Sequence, residues 1–176
     1  SMSLYYEDDV LVRATTRGDG IQGEDITINA KQIKSIPLTV PFSQFGIQSI
    51  EIRGEVIIPK KTFDAYNEQR KAAGLALMAN PRNAASGTLR MLDPTEVRKR
   101  GLNAFLYHVS YFTMAKGASI PNALAHHYST LEWLGTLGFN TSARMSKVFQ
   151  DINAVAAYCL EYEEKRDTLD FEIDGM

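Results

Sequence analysis

The segment QSIEIRGEVIIP, residues 48–59, contains a carboxylate that could take part in binding or catalysis. Its polar and apolar residues alternate, which predicts a β-strand with one face in the core and one face free for a site. The polar face carries Glu51, Arg53 and Glu55, and the apolar face carries Ile50, Ile52, Val56 and Ile58. A solvated strand with a cross-strand ion pair would also explain Glu51 and Arg53. Glu55 is the candidate site residue, because Gly54 before it predicts a bulge or a close backbone approach.

Arg17 stands at the start of a glycine-rich segment, TRGDGIQGED, residues 16–25. Glycines at this density give a loop that can wrap a ligand or form tight turns. A guanidinium at the mouth of such a loop suits a phosphate or a carboxylate. The alternative is a surface ion pair with Asp19 or Asp25, and the segment taken alone favours that pair.

Arg82 and Arg90 flank a run of small residues in NPRNAASGTLRMLDP, residues 80–94. The small side chains of residues 84–87 would let a large ligand or another backbone lie close. If the run is helical, the two arginines lie about 12 Å apart along the axis and on roughly the same side. That spacing would suit two phosphates of a polyanion.

A short basic cluster, Arg98, Lys99 and Arg100, follows this segment. Local basic patches of this kind are selected by nucleic-acid backbones. For Arg98 and Lys99 a solvated helical face is the favoured interpretation.

Composition limits the class of protein. The chain has 176 residues, of which 44% are hydrophobic and 23% charged, a size that predicts a single soluble domain. A formal net charge of −2 gives no global attraction to nucleic acid or to an anionic membrane. The single cysteine, Cys159, excludes an internal disulfide and fits a reducing cytoplasm. No apolar run approaches the roughly 20 residues of a membrane span.

The pattern of elements mixes strands and helices. We predict strands at 3–6, 10–16, 102–112 and 168–176, the first two as a hairpin, and helices at 25–33, 60–73, 122–137 and 151–166. Cys159 is predicted to lie in the core on the apolar face of the last helix, with Ile152, Val155 and Tyr162. In the strand 102–112, strict alternation places Tyr107 on the face that also carries Phe105, Val109 and Tyr111, where it could stack on a planar base or fill the core. His108, His126 and His127 lack partners at metal-ligand spacing, so no metal site is predicted.

The motifs ATTRGDGIQGEDIT, EIRGEVIIP, ANPRNAASGTLRMLDP, FLYHV, LGF and EEKRDTLDFEIDG follow one another in this order. Together they closely resemble the adenylation (nucleotidyltransferase) domain of bacterial NAD-dependent DNA ligases, over nearly the whole chain. The resemblance implies an α+β fold, with antiparallel sheets flanked by helices and a nucleotide bound between the sheets.

The resemblance also implies an activity and a set of roles. A lysine takes AMP from NAD, AMP passes to the 5′-phosphate of a nick in duplex DNA, and the 3′-hydroxyl displaces it, with Mg²⁺ assisting. Such an enzyme seals single-strand nicks during replication and repair. The implied nucleotide-binding residues are Arg17, Glu55 near the ribose, Tyr107 stacked on adenine, and Asp174. The arginines implied to meet phosphates of AMP or of the nick are Arg82, Arg90 and Arg166, of which Arg90 and Arg166 are implied to be catalytic.

One departure from the family pattern concerns the nucleophilic lysine. The nucleophile of the family belongs to a Lys-x-Asp-Gly motif, and no lysine of this sequence has that context. We therefore expect residues 1–176 to be a single partial domain, monomeric, cut at both ends of the nucleotide pocket and inactive alone, with residues 1–2 a cloning remnant. A non-catalytic nucleic-acid-binding module, and an RNA ligase or capping-type nucleotidyltransferase, are the alternatives.

Overall fold

The structure, a computed structural model, describes residues 1–18, 22–173 and 175. Four strands form one antiparallel sheet in the order β2-β1-β3-β4. They are β1 (Met2–Glu7), β2 (Val10–Thr16), β3 (Ile47–Ile57) and β4 (Asn103–Met114). The predicted hairpin of β1 and β2 is confirmed, and Met2, expected in a cloning remnant, lies in β1 with its side chain buried.

Six helices accompany the sheet in the part of the chain that the structure describes, so the predicted α+β class is confirmed. They are α1 (Thr27–Ala30), α2 (Lys60–Ala72), α3 (Pro81–Leu89), α4 (Pro94–Lys99), α5 (His127–Thr136) and α6 (Ile152–Lys165). Short 3-10 turns lie at Phe42–Phe45, Asn122–Leu124 and Arg166–Thr168. Within the described residues, none of these helices combines the length and the apolar character needed to cross a bilayer.

The core lies on one face of the sheet. Alternate residues of β1 and β3, including Leu4, Ile50 and Ile52, are completely buried there. Tyr6 joins them, and its ring makes edge contacts with Phe42 and Phe139 at centroid distances of 5.4 and 5.7 Å. Its hydroxyl donates to the Pro37 carbonyl oxygen at 2.7 Å, and burial raises the pKa of Tyr6. These contacts close the apolar face and leave the opposite, polar face of the sheet for a site.

Gly54 is required where β3 passes β4. A Cβ atom at this position would lie 2.5 Å from the Phe105 carbonyl oxygen and 2.7 Å from Leu106 Cδ1. The strand register shifts between Arg53 and Gly54, so both the predicted bulge and the predicted close approach are confirmed.

The strict alternation predicted along β4 is wrong, because the register shifts change which residues face the core. Tyr107 and His108 are consecutive and both exposed, whereas Val109 packs against the core.

The end of the chain differs from its prediction. Helix α6 has no buried residue, Ile152 is 75% exposed, and Cys159 is also exposed, so the predicted core position of this cysteine is wrong. Residues 169–173 and 175 are irregular instead of forming a strand. The first predicted helix is also shorter than expected, since only Thr27–Ala30 is helical.

Candidate functional site

A cleft of about 700 Å³ lies where the polar face of β3 meets the start of α3 and the segment that follows α6. Its lining includes Glu55, Arg82 and Arg166, three residues predicted to belong to one site but separated by up to 111 positions in the sequence (166 minus 55). The fold therefore brings together one carboxylate and two guanidinium-bearing residues that were singled out from the sequence.

The residues at the start of α3 explain why the helix begins there. Asn80 is extended, with φ −155° and ψ 157°, as expected for a residue before proline. Its side-chain oxygen accepts a hydrogen bond from the Asn83 backbone N–H at 2.7 Å, and Pro81 occupies the first helical turn. This capped helix start holds Arg82 at the cleft. Anions are favoured at helix N-termini, because unpaired N–H groups and the helix dipole concentrate positive charge there.

The segment after α6 is docked by two hydrogen bonds from one residue. The Lys60 backbone N–H donates to the Asp170 carbonyl oxygen at 2.8 Å, and its Nζ donates to the Asp167 carbonyl oxygen at 3.3 Å. Within the segment, Arg166 Nη2 donates to the Ile173 carbonyl oxygen at 3.2 Å. Arg166 is thereby kept at the cleft by an irregular segment that is tied to the start of α2.

An aromatic pair adds an apolar contact to this docking. The rings of Phe105 in β4 and Phe171 lie 4.9 Å apart between centroids. Phe105 is the cross-strand partner of Glu55, so the two side chains share the polar face of the sheet. The terminal segment is thus packed beside the carboxylate it helps to enclose.

The charges that line the cleft are balanced. The cations are Lys60, Arg82 and Arg166, and the carboxylates are Glu55, Asp167 and Glu172. The Glu55 carboxylate accepts a hydrogen bond from the Ser1 amino group at 3.1 Å, and its side chain is 44% exposed. A cleft of mixed charge suits a ligand that has both hydroxyl groups, which donate to carboxylates, and phosphates, which accept from cations.

Three other predicted site residues lie outside the lining of this cleft. The Arg17 backbone N–H donates to the Ser1 carbonyl oxygen at 3.4 Å, so the Arg17 backbone contacts the residue whose amino group binds Glu55. Tyr107 is 39% exposed on β4. Arg90, just beyond the C-terminal end of α3, pairs with Glu24. Asp174 falls outside the residues that the structure describes.

Three other charged residues, from β3 and from the basic cluster 98–100, contact neighbouring side chains of the chain. Arg53 Nε lies 3.6 Å from Glu51 Oε1, an ion pair within one strand instead of the cross-strand pair considered from the sequence. Lys99 Nζ pairs with Glu96 at 2.7 Å, as expected for a solvated helical face. The Arg100 guanidinium lies 4.6 Å from the centre of the Tyr66 ring, and this arginine packs within the fold.

Lys60, Asn83 and Glu172 are cleft residues that sequence reasoning missed. Sequence signals could have found Lys60 and Asn83. Lys60 is the first residue of α2 and comes soon after the strand that carries Glu55, and Asn83 lies in the first turn of α3, which begins at Pro81. Glu172 carried no comparable signal, because its place depends on how the terminal segment docks.

The residues suited to metal binding are dispersed. Among the described residues, no group of three or more His, Cys, Asp or Glu side chains is placed to hold a metal ion. Mg²⁺ usually keeps several waters and binds one or two carboxylates plus substrate phosphates, so it does not need an all-protein cage. Three carboxylates, those of Glu55, Asp167 and Glu172, line the cleft and are of the ligand type that such binding uses.

The sheet, its flanking helices and the mixed-charge cleft define an α+β domain with a cleft suited to a polar ligand. The chain belongs to the NAD-dependent DNA ligase adenylation domain family, whose model matches residues 1–176. It is similar to a DNA ligase of Persephonella marina, with 50% identity over 176 residues, which are 99% of this chain and 25% of that protein.

Further relatives carry the same description. A DNA ligase of Aquifex aeolicus is 50% identical over 175 residues, covering 99% of this chain and 24% of that protein. A DNA ligase of Bacillus cytotoxicus is 43% identical over 176 residues, covering 100% of this chain and 24% of that protein. The chain spans about a quarter of the length of the curated relatives it matches.

Proposed function

We propose that residues 1–176 are the adenylate-handling part of an NAD-dependent DNA ligase, which seals nicks in duplex DNA during replication and repair. The observation that carries this proposal is the cleft in which Glu55, Arg82 and Arg166 meet. It is supported by the family of the chain and by relatives described as DNA ligases. NAD is the adenylate donor in this proposal, and nicked DNA is the acceptor.

Each cleft residue has a role that follows from its chemistry. Glu55 accepts hydrogen bonds from the ribose hydroxyls of the adenylate, because an ionised carboxylate is an acceptor only. Arg82 and Arg166 pair with its phosphate, for which their planar, forked donors are suited. Charge that develops on the transferring phosphoryl group is stabilised by these fixed cations, which makes Arg166 a catalytic residue in this proposal.

Arg17, Tyr107 and Arg90 complete the proposed site from outside the cleft. Tyr107 offers an exposed ring on which adenine can stack, and Arg17 adds a cation to the nucleotide-binding residues of this proposal. Arg90, like Arg82, contacts phosphates of the adenylate or of the nick in this proposal, and Arg90 is also catalytic. Asp174 retains its nucleotide-binding role as part of the same proposal.

The nucleophile of the transfer is a component that this sequence does not supply. The reaction joins a lysine amine to the adenylate phosphorus as the bond to nicotinamide mononucleotide breaks, and it needs the amine within about 3 to 3.5 Å. No lysine here has the Lys-x-Asp-Gly context of the family motif. We therefore propose that residues 1–176 alone are not adenylylated.

Mg²⁺ would supply charge neutralisation of the phosphates in this reaction. Glu55, Asp167 and Glu172 are the described cleft carboxylates that could approach it. A cytoplasmic location is proposed for the same enzyme, because its DNA substrate lies there in bacteria and a single cysteine suits a reducing compartment.

Intact mass spectrometry of a full-length ligase that contains this domain tests the proposal. After incubation with NAD and Mg²⁺, the unaltered enzyme should gain the mass of one adenylyl group, and Glu55→Ala should lose most of that product. Glu68→Ala, which changes an exposed carboxylate on α2, is the matched control and should behave as the unaltered enzyme. Full labelling of Glu55→Ala, or labelling of a lysine within residues 1–176, would contradict it.

A further inference from the structure

Asn29 makes two hydrogen bonds that bracket a single residue. Its side chain is in α1 and is buried, with 8% exposure. Nδ2 donates to the Leu89 carbonyl oxygen and to the Met91 carbonyl oxygen, both at 2.8 Å. These two carbonyls stand on either side of Arg90. One amide group therefore ties down the backbone before Arg90 and the backbone after it.

The local backbone explains why such a contact is needed. Leu89 is the last residue of α3, and Arg90 has left the helical conformation, with φ −101° and ψ 7°. Carbonyls at the end of a helix lack intrahelical donors, so they must be satisfied by a side chain, by water or by a following turn. The Asn29 amide supplies a donor to both carbonyls that flank Arg90, and these contacts restrain the backbone there.

Helix α1 is itself anchored, so Asn29 is a fixed donor. Thr27 Oγ1 accepts a hydrogen bond from the Ala14 backbone N–H in β2 at 2.8 Å. The Asp25 carboxylate accepts hydrogen bonds from both the backbone N–H and the hydroxyl of Thr27, at 2.8 and 2.6 Å. A line of hydrogen bonds thus runs from the sheet through α1 to the backbone on both sides of Arg90.

We infer that Asn29 is a positioning residue for Arg90, holding its backbone so that the guanidinium meets phosphate in the productive direction. The inference rests on the proposed phosphate role of Arg90. Small errors in the placement of such a group are costly, since a misplacement of about 1 Å can lower a rate about a hundredfold. Asn29 does not need to touch the substrate for this effect.

A double-mutant cycle in a full-length ligase that contains this domain tests the inference. Asn29→Ala should lower kcat for nick sealing by about tenfold or more, with a smaller change in KM for NAD, because a cation that stabilises charge developing in the transition state affects kcat more than substrate binding. In an Arg90→Ala background, the same change should lower kcat by about twofold or less, because residues that act through one another are not additive.

Two further variants separate positioning from loss of folding. Thr130→Val is the matched control, since Thr130 is buried and its hydroxyl donates to two backbone carbonyls, those of Ala123 and His126, neither of which lines the cleft. It should lower the melting temperature but leave kcat unchanged. Asn29→Ser, which keeps a donor in a smaller side chain, should retain more activity than Asn29→Ala. If the alanine variant does not fold, Asn29→Ser replaces it in the double-mutant cycle.

The possible failures are distinguishable. If Arg90→Ala seals nicks normally, the proposed role of Arg90 is wrong and the inference is overturned with it. If Arg90→Ala is impaired but Asn29→Ala and Asn29→Ser are not, only the inference is overturned. The inference alone is also overturned if the Asn29 and Arg90 effects multiply independently in the double variant.

Discussion

The Arg90 guanidinium pairs with the carboxylate of Glu24, a residue 66 positions earlier in the sequence. The pair connects the glycine-rich segment that follows β2 to the C-terminal end of α3. Both side chains are more than half exposed, at 56% for Arg90 and 62% for Glu24, and exposed ion pairs are weak. A phosphate that forms a bidentate contact with Arg90 can therefore replace Glu24 at little cost.

Replacement of Arg90 should reduce activity more than replacement of Lys99. In a full-length ligase, Arg90→Ala should slow nick sealing by about a hundredfold, the size of effect expected when one donor to a transition-state charge is removed. Lys99→Ala should change the rate by less than about threefold, because its exposed ammonium already pairs with Glu96 and contributes mainly screened attraction. Single-turnover sealing of a labelled nicked duplex measures both variants. Equal, small losses would contradict the assignment of Arg90.

Gly54 should be intolerant of a side chain. In Gly54→Ala the new methyl group would clash with the Phe105 carbonyl oxygen, and the unfolding free energy should fall by about 1–3 kcal/mol. Gly87→Ala in α3 is the matched control, because a Cβ there meets no atom within 4 Å and alanine favours a helix. Urea unfolding of the two variants gives the comparison. A Gly54→Ala protein as stable as the Gly87→Ala protein would show that β3 and β4 are not this close.

Asp25 should make stability depend on pH. Hydrogen bonds from the Thr27 hydroxyl and backbone N–H hold the pKa of Asp25 below its usual value of 3.8. Because the folded-state pKa is lowered, the contribution of Asp25 to stability is present above the unfolded pKa and is lost as pH falls through the folded pKa. Asp25→Ala should therefore be less stable than the unaltered chain at pH 7, and the difference should shrink below about pH 4.

Urea unfolding at pH 7 and at pH 3 measures that difference. Asp64→Ala, which removes an exposed carboxylate from α2, serves as the control and should show a small difference at both values. A difference for Asp25→Ala that is the same at both pH values would mean that the Thr27 contacts do not depend on the ionised carboxylate.

Features set by neighbouring residues were predictable from the sequence. The strand at Ile47–Ile57 follows from alternation, and the bulge follows from one glycine within it. The extended Asn80 follows from Pro81, because proline restricts the residue before it.

Features set by contacts between distant parts of the chain could not be predicted from the sequence. The apolar face of α6 has helical spacing, but periodicity alone cannot tell whether another surface covers that face, and Cys159 is exposed. Alternation along β4 failed because its register is set by the shifts against β3. The contacts of Asn29 and Glu24 with the Arg90 region join residues at least 60 positions apart, which no local pattern encodes.

The central claim is that an adenylate binds the cleft formed by Glu55, Arg82 and Arg166. The most direct measurement is an NMR titration of the isotopically labelled chain with AMP, which detects weak binding residue by residue. We expect backbone shifts to concentrate at the end of β3, the start of α3 and the segment 166–173, and Glu55→Ala to remove most of them. The absence of shifts at the highest AMP concentration, or shifts centred on α5 and unchanged by Glu55→Ala, would contradict the claim that an adenylate binds this cleft.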